Sequence, residues 1–447
     1  MSPNETKRVL ILGGGYAGLY TALGLQRHRG KTPMQITVVD QSPYMTYQPL
    51  LPEVAGGHVA PRDVTVPLHR TLKTSRVVRG TVDSLSLADH SASVRSLDGS
   101  ILKLDFDHVV FALGAVTRTF LTPGLKEMGV GFKTVEEAVS ARDNVLDCVA
   151  KAAATTDPAE RRKLLTFVFV GAGYTGVEAI SELRDVSMQA VDSFANLGRS
   201  DVHWMLVEAL DRVAPEVGPD LSKWTLGELG RHDIDVRLET TVTSCVDGCI
   251  ELSSGDTFDA ATLIWTAGVR PSPTLENTDA PLGPKGHIIA DTRLRVTRDD
   301  GSVIGGAWAL GDNAQVPDLT AAKQPAYYTP NAQNAIRQAG VAARNIVNEI
   351  RGEDLEEYRH ASLGTIASYG VGDGAALIMG VKLKRLPAWL VHRAYHGLLV
   401  PTVNRKFRVI AGWIVDALSL PEVTSLSALR HPRRAFTTAF TTERTRK

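Results

Sequence analysis

With 447 residues, the chain is long enough for two or three domains and a large buried core. Its 43% hydrophobic and 22% charged residues are ordinary globular usage, which excludes whole-chain disorder and collagen-like repeats. Lys and Arg number 49, as do Asp and Glu, so the net charge is zero and global charge argues against a nucleic-acid partner.

The chain opens on a polar stretch, and the apolar run Val9–Leu12 is too short for a signal peptide. It reads as a buried strand running into Gly13-Gly14-Gly15-Tyr16-Ala17-Gly18, with a helix over Ala17 through Gln26. A second strand, Gln35–Val39, ends at Asp40, as in the opening of a βαβ unit. Residues 76–106 carry the short runs Val77-Val78, Ala92–Val94 and Leu102–Phe106 between Asp-His and Asp-Gly turns, a small antiparallel excursion. His108–Ala112 is apolar and leads to Leu113-Gly114.

About 160 residues after the first loop the pattern returns. Lys163–Val170 reads as a strand, Gly171-Ala172-Gly173-Tyr174-Thr175-Gly176 as the loop, and Val177–Val186 as the helix. Val202–Val207 is a strand ending at Glu208, and Ala261–Trp265 a strand ending at Thr266-Ala267-Gly268. Ile304–Leu310 runs into Gly311-Asp312, and Pro330–Ile350 reads as a long helix. From about Val381 the texture changes. No acid stands between Asp373 and Asp416, while Lys382, Lys384, Arg385, Arg393, Arg405, Lys406 and Arg408 mix with Leu386, Trp389, Leu390, Tyr395, Leu398, Leu399, Phe407 and Trp413. No stretch reaches the roughly 18 uninterrupted apolar residues of a membrane span.

A G-x-G-x-x-G loop between strand and helix suits a pyrophosphate. The first Gly permits the turn, the second lets backbone approach the phosphates, the third lets helix and strand pack closely, and the helix N-terminus supplies partial positive charge. Asp40 and Glu208 stand where a carboxylate accepts hydrogen bonds from a ribose. A single such loop can be a mere turn, whereas two in matching context point to two dinucleotides, FAD and a nicotinamide cofactor. Glu208 disfavours the extra phosphate of NADPH, so NADH (NAD) is expected, with Arg212 the opposing feature nearby.

These motifs carry a resemblance. The chain resembles the two-dinucleotide-domain flavoproteins, and within them the type II NADH:quinone oxidoreductases, single-subunit NADH dehydrogenases that pump no protons. The carriers are GGGYAG at 13–18, YQPLLPEVA at 47–55, GAGYTGVE at 171–178, TAGVRPSP at 266–273, GD at 311–312 and AQNAIRQ at 332–338. The resemblance implies an α/β fold with two Rossmann-like dinucleotide-binding domains. The FAD domain would comprise residues 1–120 and 276–380, the NADH domain 121–275, and a C-terminal amphipathic membrane-facing region 381–447. The implied cofactor-binding set is Gly13, Gly15, Tyr16, Ala17, Gly18, Asp40, Gln48, Gly114, Gly171, Gly173, Tyr174, Thr175, Gly176, Glu208, Gly268, Gly311, Asp312, Ala332 and Gln333, with no metal.

Asp312 would bind the ribityl chain, although a turn Asp capping the following helix also satisfies the residues. Ala112-Leu113-Gly114 and Thr266-Ala267-Gly268 resemble the chain reversals joining the two domains, with plain strand-ending glycines as the other reading. Glu178 would project toward nicotinamide and flavin near the quinone cavity, and it equally suits a helix N-terminus as a carboxylate favoured by the dipole. The family pattern Ala-Gln-x-Ala-x-Gln places two Gln one turn apart. Here Gln333 matches, the position four later is Arg337, and Gln338 lies about 100° further round the helix. Arg337 offers a donor to a quinone carbonyl, or is a surface Arg. Glu178, Gln333 and Arg337 are the catalytic candidates. A second departure is Ala367-Ser368-Tyr369-Gly370, where many relatives carry a basic residue.

Three cysteines, Cys148, Cys245 and Cys249, are too few for a disulfide framework and lack metal-ligand spacing. A reduced cytoplasmic setting follows. Disulfide reductases of the superfamily carry a Cys pair shortly after the first loop, and none stands from Gln41 to Val78. Sulfide:quinone oxidoreductases need Cys later in the chain, and none follows Cys249. The electrons must therefore leave on a mobile acceptor, for which the resemblance implies a quinone, menaquinone or ubiquinone. The tail has cations for an anionic membrane surface and Trp389 and Trp413 for its interface. His392, Arg393 and His396 interrupt its apolar face, and a solvated face or a homodimer contact are the other readings. The expected location is cytoplasmic, peripheral on the inner face of the cell membrane. The rival functions are a soluble NADH-dependent reductase of an electron-carrier protein and a flavin- and NADH-binding sensor without turnover.

Overall fold

A computed structural model describes residues 5–362, 364–419, 422–434 and 436–438. Residues 1–4 and Leu363 of the expected FAD segments, and Leu420, Pro421, Ala435 and 439–447 of the expected C-terminal region, lie outside the described residues. The chain divides into two compact units. The first comprises Met1–Thr46, Thr65–Arg118 and Val269–Ser362, and the second Tyr47–Val64, Thr119–Gly268 and Leu363–Lys447. Residues 364–380, expected with the FAD segments, fall in the second unit.

Each unit is built on the same parallel core. In the first, Lys7–Leu12 lies between Met34–Asp40 and His108–Phe111, all parallel. In the second, Thr166–Val170 lies between His203–Val207 and Thr262–Trp265, again all parallel. Further out, Arg76–Ser86 and Val303–Ala309 extend the first sheet, and Ile234–Arg237 and Gly129–Val130 the second. The strands are buried on both faces, which is why they read as unbroken apolar runs rather than alternating ones. In the second unit Trp204 stacks on Phe167, with ring centroids 4.6 Å apart, and its Nε1 donates to Ser187 Oγ at 3.1 Å.

The strand before the second loop starts later than its apolar run suggests. Lys163 and Leu164 belong to a helix, Pro158–Leu164, and the strand starts at Thr166. Asp157 caps that helix by accepting from Ala159 N, Pro158 opens it, and three basic residues in its last turn suit the dipole. The antiparallel excursion is present and is continuous with the first sheet. Val77 and Val78 pair in parallel with Val38 and Val39 in the first sheet, and the same long strand then turns antiparallel to Ser91–Ser96, followed by Ile101–Asp105.

The second unit ends in a three-stranded antiparallel sheet, Gly364–Ser368, Gly374–Ile378 and Val381–Lys384, and two helices, Leu386–Leu399 and Val403–Leu418. No helix among the described residues is long and apolar enough to cross a membrane. The last helix is amphipathic in an unexpected sense. Val403, Phe407, Ile410, Ile414 and Leu418 form an exposed stripe at helical spacing, while Trp413 is 9% exposed and donates from Nε1 to Glu53. Trp413 is therefore not the interface anchor expected of it, because Glu53 holds its indole inside. Many tail cations are likewise paired with acids distant in sequence: Arg405 and Arg408 with Asp63, Arg385 with Glu228, Lys382 with Asp220.

His58 ties the last helix down. Nδ1 lies 2.6 Å from Asp416 Oδ2 and Nε2 lies 3.3 Å from Glu182 Oε2. Burial works against its charge, but the hydrogen bonds and charges of Glu182 and Asp416 prevail and raise its pKa from 6.5 to about 9. Because the folded value lies above the unfolded one, this stabilisation is complete below about pH 6.5 and disappears as pH rises through about 9. It amounts to about 3 kcal/mol at most. His58→Gln is therefore expected to lower the thermal midpoint at neutral pH and to flatten its fall toward alkaline pH. An unchanged pH profile of the midpoint would remove His58 from this role.

Candidate functional site

The first glycine loop is shaped by what a side chain would strike. A Cβ on Gly18 would stand 1.8 Å from Gly13 O, and Gly13 itself has φ +99°, so this turn admits only glycine at both positions. A Cβ on Gly15 would meet nothing within 4 Å. Gly15 is the N-cap of the Tyr16–His28 helix, no side chain caps that terminus, and no acid stands in its first turn. The loop therefore presents open space in front of a helix N-terminus, a cradle that fits a pyrophosphate. Asp40 closes it from the next strand, accepting from Gly14 N at 2.6 Å and from Ser42 N at 2.7 Å. Burial raises the Asp40 pKa against the lowering effect of those two bonds.

The second loop repeats the turn but not the open space: a Cβ on Gly173 would stand 3.3 Å from Glu216 Oε1, and the backbone of Tyr174 is hydrogen-bonded to that carboxylate. Gly171 has φ +100°, a Cβ on Gly176 would stand 1.9 Å from Gly171 O, and Gly173 is the N-cap of Tyr174–Val191. Glu208 Oε2 accepts from Ala172 N and Oε1 from Leu210 N. Thr175 follows within the first turn of the helix, and Gly268, φ +81°, ends the Thr266-Ala267-Gly268 reversal. Arg212 pairs with its exposed neighbour Asp211.

In the first unit, Gly311 reaches both helices that flank it. A Cβ there would stand 3.0 Å from that of Ala17 and 3.6 Å from that of Ala335. Its N–H donates to Gln338 Oε1 at 2.7 Å. Asn313, fully buried, accepts from Gly114 N at 3.0 Å and donates to Phe111 O at 3.1 Å, tying the late loop to the end of the His108–Phe111 strand. Asp312 lies in this short turn and does not cap the long helix. That helix is Ala332–Arg351 and its cap is Asn331, whose side chain accepts from Asn334 N. Gln338 is 3% exposed and spent on Gly311, so it does not stand in for a Gln at 337. Arg337 instead donates from Nη1 to Gln333 Oε1 at 3.2 Å. Gln48, in the second unit, donates to Lys133 O at 3.0 Å.

Glu178, in the second unit, is buried, and Oε1 accepts from Ser368 N at 3.0 Å. Its other neighbour is His392, whose Nε2 lies 3.4 Å from the same oxygen. Neither His392 nor Glu53 was singled out as a site residue by the sequence reading. The interruption of an apolar helix by His392, Arg393 and His396 was the available signal, and Glu53 lies inside the YQPLLPEVA stretch. The three cysteines are free, with Cys148 and Cys245 buried.

Two glycine-loop cradles, each closed by a carboxylate, define a two-nucleotide oxidoreductase fold. Residues 7–342 match the family described as pyridine nucleotide-disulphide oxidoreductase, and the chain belongs to that family. It is similar to the type II NADH:quinone oxidoreductase of Staphylococcus epidermidis, with 28% identity over 84% of this chain and 90% of the relative. It is also similar to demethylphylloquinone reductase NdbB of Synechocystis, with 29% identity over 92% of this chain and 96% of the relative. Among solved structures, NDH2 from Plasmodium falciparum in complex with NADH shares the fold, with TM-score 0.85, 17% identity, and coverage of 94% of this chain and 100% of that one.

The loop geometry separates two kinds of glycine. Gly15→Val is expected to fold and lose bound flavin, because its side chain enters open space where a pyrophosphate would lie. Gly18→Val is expected to lose the fold itself. Flavin absorbance and thermal midpoint, measured on both variants, test the distinction. A folded Gly15→Val protein with full flavin would overturn the assignment of this loop.

Proposed function

We propose that the chain is a type II NADH:quinone oxidoreductase, passing a hydride from NADH to FAD and two electrons on to a membrane quinone. The observation that carries this reading is the pair of carboxylate-closed cradles in a chain with no cysteine from Gln41 to Val78. Bound FAD supplies a two-electron hydride acceptor that can pass electrons onward. The Gly13–Gly18 loop and Asp40 hold its dinucleotide, and Asn313 and Gln338 fix the turn from which Asp312 approaches it. The Gly171–Gly176 loop and Glu208 hold NADH, and the Glu208 charge repels the 2′-phosphate of NADPH while Arg212 is drawn to Asp211. The Gln333–Arg337 donor pair is suited to a quinone carbonyl and to the charge that develops on it. Glu178 moves a proton toward the acceptor.

The exposed stripe Val403, Phe407, Ile410, Ile414 and Leu418, with Leu386, Leu390 and Leu398 of the preceding helix, supports docking on the inner face of the cell membrane. With many tail cations already paired, apolar burial contributes more of this binding than charge does, and salt releases only part of it.

Steady-state NADH oxidation with menaquinone, ubiquinone and a carrier-protein acceptor side by side tests the reaction. Quinone reduction is expected, and turnover with the carrier protein alone would replace this reading with a soluble reductase. Sedimentation with anionic vesicles tests the docking. Binding is expected at low salt, with partial release at high salt and loss on combining Phe407→Ser with Ile414→Ser. Self-association that the same pair abolishes, without vesicle binding, would make the stripe a homodimer contact.

A further inference from the structure

His392 lies on an otherwise largely apolar helix, is 2% exposed, and stands among acids from two other helices. Its Nε2 is 3.4 Å from Glu178 Oε1, and its Nδ1 is 3.9 Å from Glu53 Oε1. Neither His392 Nδ1 nor Glu53 Oε1 has a hydrogen-bond partner. Such an arrangement is a poor way to stabilise a fold. Well-packed apolar residues in place of a buried ion group are often as stable or more so, and unmade hydrogen bonds add to the cost. What it does provide is an imidazole Nε2 standing 3.4 Å from Glu178 Oε1.

We propose that His392 is the proton store behind Glu178, delivering through that carboxylate the second proton a quinone needs when it is reduced. This rests on the quinone-reductase reading and extends it. The hydride leaving NADH brings two electrons and one proton, whereas a quinol carries two protons. The missing proton leaves the His392 Nε2–H bond, crosses to Glu178 Oε1, and from Glu178 forms the O–H bond of the quinol. His392 is left as neutral imidazole and takes its next proton from water. His392 touches no substrate and is a positioning and proton-supplying residue.

Its surroundings set when it is charged. Glu53 faces it from Leu51–Gly56, Glu178 and Glu182 from Tyr174–Val191, and Arg393 and His396 share its own helix. Burial opposes the charge, but the Glu178 hydrogen bond and the charges of Glu178, Glu53 and Glu182 raise its pKa above 6.5. His396, with ring centroid 4.5 Å away, is held well below 6.5 by burial and by His392 itself, so it is neutral beside the imidazolium. Arg393 is drawn aside, with Nη2 at 3.7 Å from Glu53 Oε2 and its guanidinium over the rings of Trp389 and Trp413. Protonated His392 dominates below its raised pKa, so proton delivery declines as pH rises through that value.

Stopped-flow on the FAD-loaded full chain tests this with three readings: flavin bleaching by NADH, reoxidation by a short-chain quinone, and reoxidation by ferricyanide, which consumes no proton. In His392→Gln, bleaching and ferricyanide rates are expected within about twofold of wild type. Quinone reoxidation is expected to fall about tenfold or more and to lose its alkaline decline. Glu53→Gln keeps the histidine but removes a carboxylate facing it, so the alkaline decline should move to lower pH; this variant carries the test if His392→Gln does not fold. Wild-type quinone rates and pH profile in His392→Gln, or an unmoved profile in Glu53→Gln, would overturn the proposal. A wild-type protein that reduces ferricyanide but no quinone would overturn the function reading and this proposal together.

Discussion

Both nucleotide cradles depend on one contact, a carboxylate at a strand end accepting the N–H of the second residue in a glycine turn. The turn is so tight that a carbonyl occupies the space of a side chain, with Gly13 O beside Gly18 and Gly171 O beside Gly176. Closing it draws the helix N-terminus up to the strand and turns one amide inward, where water cannot reach it easily. Asp40 and Glu208 accept that amide, and each takes a second N–H two residues further along its own strand end. A buried carboxylate is costly without such donors, and a buried amide is costly without an acceptor, so each offsets the other. In the first loop the helix terminus faces open space, where a phosphate is the natural counterpart, whereas in the second Glu216 lies against it.

This explains why so much of the fold was legible in the sequence. The strand, the glycine turn, the helix and the acid all act over one short βαβ span, so each declares itself locally, and repetition of the whole pattern identifies it. The strand-ending glycines Gly114 and Gly268, both at positive φ, were legible for the same reason. What escaped were pairings between residues far apart in sequence. The tail looked like an unbalanced cationic run because its counter-charges, Asp63, Asp220 and Glu228, lie elsewhere in the chain. Asp312 was a plausible helix cap by position, but the helix begins at Ala332 and Asn331 caps it. The start of the second loop's strand was misplaced because an apolar pair, Leu164-Leu165, spans a helix end and the approach to a strand.

The departure at 337 shows how one substitution redistributes roles along a helix. Gln338 cannot serve the outward position, since it lies a third of a turn away and its carbonyl already holds Gly311. Arg337 keeps a donor at the outward position and draws Gln333 into a pair across one turn. The result is an amide paired with a permanent cation on one face of the helix, while Gln338 keeps its bond to Gly311.

The buried acids of the second unit follow from the direction in which its last helix faces. A helix that turns its apolar stripe outward must turn polar side chains inward. Arg405, Trp413 and Asp416 point toward the body of this unit, and each meets a partner there: Asp63, Glu53 and His58. The Tyr47–Val64 segment thus supplies polar partners that would be anomalous beneath an ordinary amphipathic helix. Glu53 serves both ends of this arrangement, holding Trp413 on one oxygen and standing near His392 with the other. The contacts that fasten the outward-facing helix are therefore continuous with those that set the charge of His392, and so with the environment of Glu178.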